Sequence, residues 1–380
     1  MKRLLIYLGV GILSASILTG CGGKIDNYYK DGMSYFEKSD YSKAVECFQK
    51  AVEMDSENSE YMVYLGMSLL ETGDSLGAVN TFMAVLEKDE TNRDAIRGLG
   101  IAYMRDEVYD EAIKNFAKVE EYSDKADGIY LDAMKYRAEC CYEIGKYNDA
   151  IAIYDNIIGK VDKSQKYFMY YLRGRAYVAI KDENSAVLNF EEALKLKGND
   201  YELCSNMYFC FKEAGFVERG ESYIKRVMQS DDISQYDKGK FYFVMEDYAQ
   251  AEGIFTIAYD EGNVEAAYYL AKVYEAQSQL DKAEKLYKDI LLRYHDDYRV
   301  YNQYGVYLIN RKDYVSALGY IDKGLTLAKG DEAKELLYNQ AVCYEFMYEY
   351  KKAYELFSDY LKKYPTDEQA RKELEFLSSR

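Results

Sequence analysis

The stretch YNDAIAIYDNI, Tyr147–Ile157, spaces its apolar residues three and four apart, the pattern of one buried helix face. Its skeleton returns as YSKAVECF from Tyr41, YDEAIKNF from Tyr109, YAQAEGIF from Tyr248 and YKKAYELF from Tyr350. Each time a Tyr is followed three residues later by Ala and, four residues after that, by an aromatic. Aligned on that small residue, the chain reads Ala44, Ala78, Ala112, Ala150, Ala186, Gly220, Ala251, Ala283, Ala317 and Ala353. Successive gaps are 34, 34, 38, 36, 34, 31, 32, 34 and 36 residues. With a single Pro in 380 residues and no sustained apolar/polar alternation, the fold class is all-α.

Two further columns keep the same register. Twelve residues before the Ala stand Gly32, Gly66, Gly100, Ala138, Gly174, Gly239, Ala271, Gly305 and Ala341, with Tyr208 the departure. Four residues after it come Phe48, Phe82, Phe116, Tyr154, Phe190, Ile224, Phe255, Tyr287, Ile321 and Phe357. Small residues on two helices permit close crossing, and the aromatics fill the space beside it. On these residues the chain resembles the tetratricopeptide repeat (TPR) family from about Ile25 to Asp367, in ten copies. The resemblance implies helix-turn-helix units that stack into a superhelical solenoid, since one pair cannot bury its apolar face alone. The segment GNVEAAYYLAKVYE, 262–275, is similar to the Sel1 variant of such repeats. The least regular copies flank QSDDISQYDKG, where a bend or a sub-domain boundary is expected. The expected organisation is repeats one to six over 27–231, repeats seven to ten over 232–367, and a capping helix over 368–380. In that last segment Ala370, Leu374 and Leu377 form one apolar stripe.

The first residues are a separate matter. Lys2 and Arg3 precede an apolar run from Leu4 to Leu18, too short for the roughly 20 residues of a membrane-spanning helix. The run ends in Leu18-Thr19-Gly20-Cys21, which resembles the lipobox of bacterial lipoproteins. That resemblance implies removal of residues 1–20, lipid on Cys21, a short tether to residue 26, and a position on the extracytoplasmic face of a bacterial membrane.

Signatures of catalysis are missing from the sequence. There is no phosphate-binding Gly-Lys-Ser/Thr loop, no G-x-S-x-G and no zinc-spaced His/Cys cluster. The single histidine, His295, reads as a surface imidazole, and Glu120-Glu121 and Asp231-Asp232 as solvated ends in polar connectors. Neither enzyme chemistry, nor a cofactor, nor a metal is expected. The six cysteines beyond Cys21 show no framework spacing, and most of them read as small apolar side chains at buried helix positions. Net charge is −17, and without Lys2 and Arg3 the balance is 47 basic to 66 acidic residues, or −19. Nucleic acid and anionic lipid are therefore poor partners.

Binding is what remains. In TPR proteins the first helices line a concave groove, and carrying over three positions of each copy gives the candidate surface. Its first third is apolar: Tyr29, Met33, Phe36, Met67 and Met104, joined by Arg97. The remainder mixes aromatics and cations: Lys135, Tyr142, Tyr171, Arg175, Phe209, Lys212, Tyr236, Lys240, Phe243, Tyr268 and Lys272. Among these positions in repeats three to eight only Glu139 and Glu275 are acidic, so acidic segments of cell-envelope proteins or peptides are the expected ligands. The expected function is a lipid-anchored envelope scaffold. The alternative is a polysaccharide-handling module of an export or cell-wall system, suggested by the 44 tyrosines.

Overall fold

The computed structural model describes residues 25–365 and 367–380. Among them no strand occurs, and the helices pair into hairpins as the register requires. The first five are α1 and α2 (Ile25–Glu37, Tyr41–Met54), α3 and α4 (Ser59–Thr72, Ser75–Lys88), α5 and α6 (Arg93–Arg105, Tyr109–Glu121), α7 and α8 (Gly128–Glu143, Tyr147–Ile157), and α9 and α10 (Lys163–Ala179, Glu183–Lys197). The second five are α11 and α12 (Tyr201–Glu213, Val217–Val227), α13 and α14 (Gln235–Val244, Tyr248–Asp260), α15 and α16 (Val264–Ala276, Leu280–Arg293), α17 and α18 (Tyr298–Asn310, Tyr314–Leu327), and α19 and α20 (Lys334–Phe346, Tyr350–Lys363). A 3-10 turn, Gly330–Ala333, precedes α19, and α21 (Glu368–Ser378) closes the chain. Contacts divide the molecule into two compact units, Met1–Gly198 and Asn199–Arg380, each a run of five hairpins.

Every hairpin turns in the same way. The residue five before the register Ala has a left-handed backbone in all ten: Ser39, Gly73, Glu107, Gly145, Lys181, Gly215, Glu246, Ser278, Lys312 and Tyr348. The next amide then donates to the carbonyl five residues back in the helix just ended, as from Asp40 to Tyr35 at 2.9 Å and from Asp313 to Leu308 at 2.9 Å. This satisfies a carbonyl that the helix end would leave open. In half of the hairpins that residue is Asp, and its side chain accepts from the amide three residues on: Asp40, Asp74, Asp182, Asp247 and Asp313.

The small column explains the close crossings. A Cβ on Gly66 would stand 2.6 Å from the Phe82 ring, and one on Gly100 would stand 2.6 Å from Phe116. Any side chain there would have to displace a fully buried ring. The aligned alanines and ring residues are themselves buried, Ala150 and Tyr154 among them. At the chain's end, Ala370 and Leu377 of α21 join the core of α19 and α20 beside Ala353 and Phe357, with Leu374 packed against it.

One sequence expectation needs adjusting. Glu120 and Glu121 do not lie in a connector but in the last turn of α6, where Glu120 accepts from Arg137 at 2.7 Å. Most of the cysteines are buried as expected, namely Cys140, Cys141, Cys204 and Cys343, and Cys47 and Cys210 are half-buried.

Candidate binding surface

In the second unit a cleft of about 550 Å³ runs over the first helices of successive hairpins. Tyr236 and Lys240 of α13, Tyr268, Tyr269 and Lys272 of α15, and Tyr298, Arg299, Asn302 and Gln303 of α17 line it. Asp331 and Glu332 of the 3-10 turn, with Lys334 and Glu335 of α19, close the far end. Of the residues expected from sequence, Tyr236, Lys240, Tyr268 and Lys272 are therefore brought together. Phe243 packs instead against Tyr248 and Tyr269, at ring centroids 5.8 and 5.7 Å away. Phe209 is exposed beside Tyr208, and Lys212 pairs with Glu246 at 2.6 Å.

The cleft's charges are held unequally. Lys240 meets Asp237 at 2.6 Å and lies over the Tyr201 ring at 4.0 Å. Burial opposes charge on Asp237, but the bonds from Lys240 and Ser234 prevail and hold its carboxyl below the usual range. Arg299 is clamped by Asp297, with Nη2 donating to Oδ2 at 2.6 Å. Lys272 is exposed, its Nζ 5.6 Å from the Tyr269 ring, and no ion pair to it forms among the described residues. Tyr268 is 8% exposed, and its hydroxyl has no hydrogen-bond partner among the described residues. Burial first, then the nearby Asp297, pushes that phenol well above its ordinary pKa.

In the first unit the same repeat positions are spent internally. Arg97, 3% exposed, lies 3.3 Å from Asp132 and 3.5 Å from Asp94, and Lys135 donates to Asp132 at 2.9 Å. Arg175 donates to Glu139 at 2.7 Å and covers the Tyr142 ring at 3.9 Å. Tyr171 is buried between Phe168 and Phe190, with which it stacks. Met67 is buried, Met104 is half-buried, and Met33 and Phe36 pack against the first hairpin's core. Tyr29 stands within 6.1 Å of the Phe48, Tyr61 and Tyr64 rings and donates to Glu60 at 2.6 Å.

Both groove acids are gripped from beneath. Tyr154 donates to Glu139, and Tyr287 donates to Glu275 at 2.9 Å. In these two repeats the glycine column holds Ala138 and Ala271, and the column of rings holds Tyr instead of Phe. Burial raises the Glu275 pKa, with the Tyr287 bond and Lys272 acting against it.

Sequence reasoning missed Glu265, Tyr269, Arg299, Gln303 and Glu335. They occupy the second and sixth places of their repeats, counting the glycine column as eighth. Those places lie one helical turn from the fifth and ninth, on the same face. That periodicity was the available signal.

Models of the tetratricopeptide repeat match residues 29–95, 97–165, 167–200, 242–303 and 335–367, together more than half of the chain. The chain is a tetratricopeptide-repeat protein. None of the curated proteins matches it in sequence. Among solved structures, a tetratricopeptide repeat protein from Parabacteroides merdae is 14% identical, covers 66% of this chain and 99% of its own, and gives a TM-score of 0.46. MamA is 22% identical over 47% of this chain and 93% of its own, at a TM-score of 0.40. Yeast Tom70 is 16% identical over 93% and 88%, at 0.36.

Within the TPR frame His295 is an exposed side chain 3.5 Å from Asp296. Among the described residues no group of three His, Cys, Asp or Glu could hold a metal ion, and no helix is long and apolar enough to cross a membrane. Cys21 lies outside the described residues.

Proposed function

We propose that this TPR protein is a lipid-anchored scaffold on the extracytoplasmic face of a bacterial membrane, where it binds other envelope proteins through peptide segments held in the cleft of its second unit. The observation that carries the reading is the cleft itself: an open concavity of about 550 Å³ with tyrosines along it and charged side chains at both ends. Such a surface offers rings for packing and polar groups for register, which suits an extended peptide. Leu18–Cys21 supports the anchor, since lipid on Cys21 would hold the body beside the bilayer.

The tyrosines that suggested a polysaccharide ligand do not favour it. Many are engaged with one another, as in the Tyr287, Tyr304 and Tyr307 group with ring centroids 5.0 to 5.9 Å apart. Two measurements test the proposal. Metabolic acyl labelling should disappear in Cys21→Ala, and persistence of the label would remove the anchor. Crosslinking from the cleft of the anchored protein in cells should yield exported proteins, and recovery of glycan alone would overturn the protein-binding reading.

A further inference from the structure

The cleft of the second unit is electrically polar along its length. At the α13 and α15 end stand Lys240 and Lys272, and of these Lys272 is exposed and enters no ion pair among the described residues. At the other end stand Asp331, Glu332 and Glu335, none of which forms a salt bridge with a described cation. Between the ends, Arg299 is neutralised by Asp297 at 2.6 Å. Glu265 also lines the first end but is drawn to Arg299 at 3.9 Å, and Lys334 lines the second but pairs with Asp367 at 3.8 Å. Among the described residues, Lys272 is thus left without an ion-paired carboxylate at one end, and three carboxylates without an ion-paired cation at the other.

Resting on the reading that this cleft holds peptide, we infer that it selects a dipolar segment, with an acidic side chain at Lys272 and a basic side chain at Asp331 and Glu332. An acid-only ligand would meet Lys272 but would also bring negative charge to the carboxylates at the far end, on a body already strongly acidic. A base-only ligand would fail at Lys272 for the converse reason. A segment carrying both charges complements both ends and adds no net charge. Tyr268 provides a second, independent mark. Its hydroxyl is buried without a partner among the described residues, in a residue that lines the cleft, and a peptide carbonyl or amide would satisfy it.

The test uses the full chain and labelled synthetic peptides that share one uncharged filler. One carries Glu near one end and Lys near the other, one carries Glu alone, and one carries Lys alone. Fluorescence anisotropy at low salt should show the Glu/Lys peptide binding about tenfold tighter than either single-charge peptide. Lys272→Glu should remove that preference while improving the Lys-only peptide. Tyr268→Phe, which keeps the ring, should weaken the Glu/Lys peptide with the melting temperature unchanged or raised. Glu-only binding equal to Glu/Lys binding overturns the inference and leaves a peptide groove standing. Binding of the Glu/Lys peptide that is unaffected by both substitutions overturns it as well. Failure of all three peptides to bind overturns the inference together with the peptide reading beneath it.

Discussion

Arg175 in the first unit and Lys272 in the second stand at the same place, the ninth of their repeats, and have opposite fates. Arg175 is shut between Glu139 and the Tyr142 ring, whereas Lys272 stands exposed with no carboxylate ion-paired to it among the described residues. Arg97 and Lys135 go the way of Arg175: Asp132 serves both, and all three side chains are largely buried. A cation at a groove position thus becomes a packing element when its own or a neighbouring helix supplies an acid within reach, and stays open to solvent when none does. Counting charges along the groove cannot separate the two, because Asp94, Asp132 and Asp237 lie outside the positions counted.

The largest way to break this comparison is Asp132→Ala. It would leave Arg97 and Lys135 buried without their shared anion, a loss of roughly 3–5 kcal/mol in the first unit. Denaturant unfolding with a probe in that unit measures it. Next comes Tyr287→Phe, which removes the donor to Glu275 and should cost roughly 1.5–3 kcal/mol at neutral pH. Because burial already raises the Glu275 pKa, folding favours the protonated carboxyl, so the acid's contribution is fullest at low pH and is lost as pH rises through that pKa. The hydrogen bond is stronger to the charged form, so the cost of Tyr287→Phe should shrink as pH falls below the Glu275 pKa. Melting curves across pH 3 to 7 would show it, and a pH-independent cost would contradict the assignment.

A smaller effect sharpens what the units share. Glu107→Gly and Lys312→Gly replace left-handed residues at equivalent turns, and each should stabilise by about 1 kcal/mol or less. Opposite signs in the two units would break the common turn. The smallest effect belongs to Lys272→Ala, expected within about 0.5 kcal/mol of the parent in stability. A large loss would show Lys272 to be a structural residue like Arg175.

Most of the fold was legible because its determinants repeat. The contacts of Gly66 with Phe82, Gly100 with Phe116 and Gly305 with Ile321 are the same contact three times over, and a periodic signal survives local exceptions. The left-handed turns were hidden because seven of the ten are not glycine, so backbone geometry overrode residue preference. The candidate site was legible only in part. Position along a helix placed Tyr236, Lys240, Tyr268 and Lys272 on the correct face, but burial and pairing depend on acids at other places of the same helix, on neighbouring helices and in turns. Arg299 illustrates this, since its partner Asp297 caps the helix instead of lying on its face.

The central claim is that the second unit keeps an open recognition surface while the first has closed its own. Hydrogen exchange of the full chain, with and without the Glu/Lys peptide, tests it most directly. The account predicts slowed exchange in α13, α15, α17 and α19, with α5, α7 and α9 unchanged. Protection centred on α5, α7 and α9, or no protection at all at saturating peptide, would contradict it.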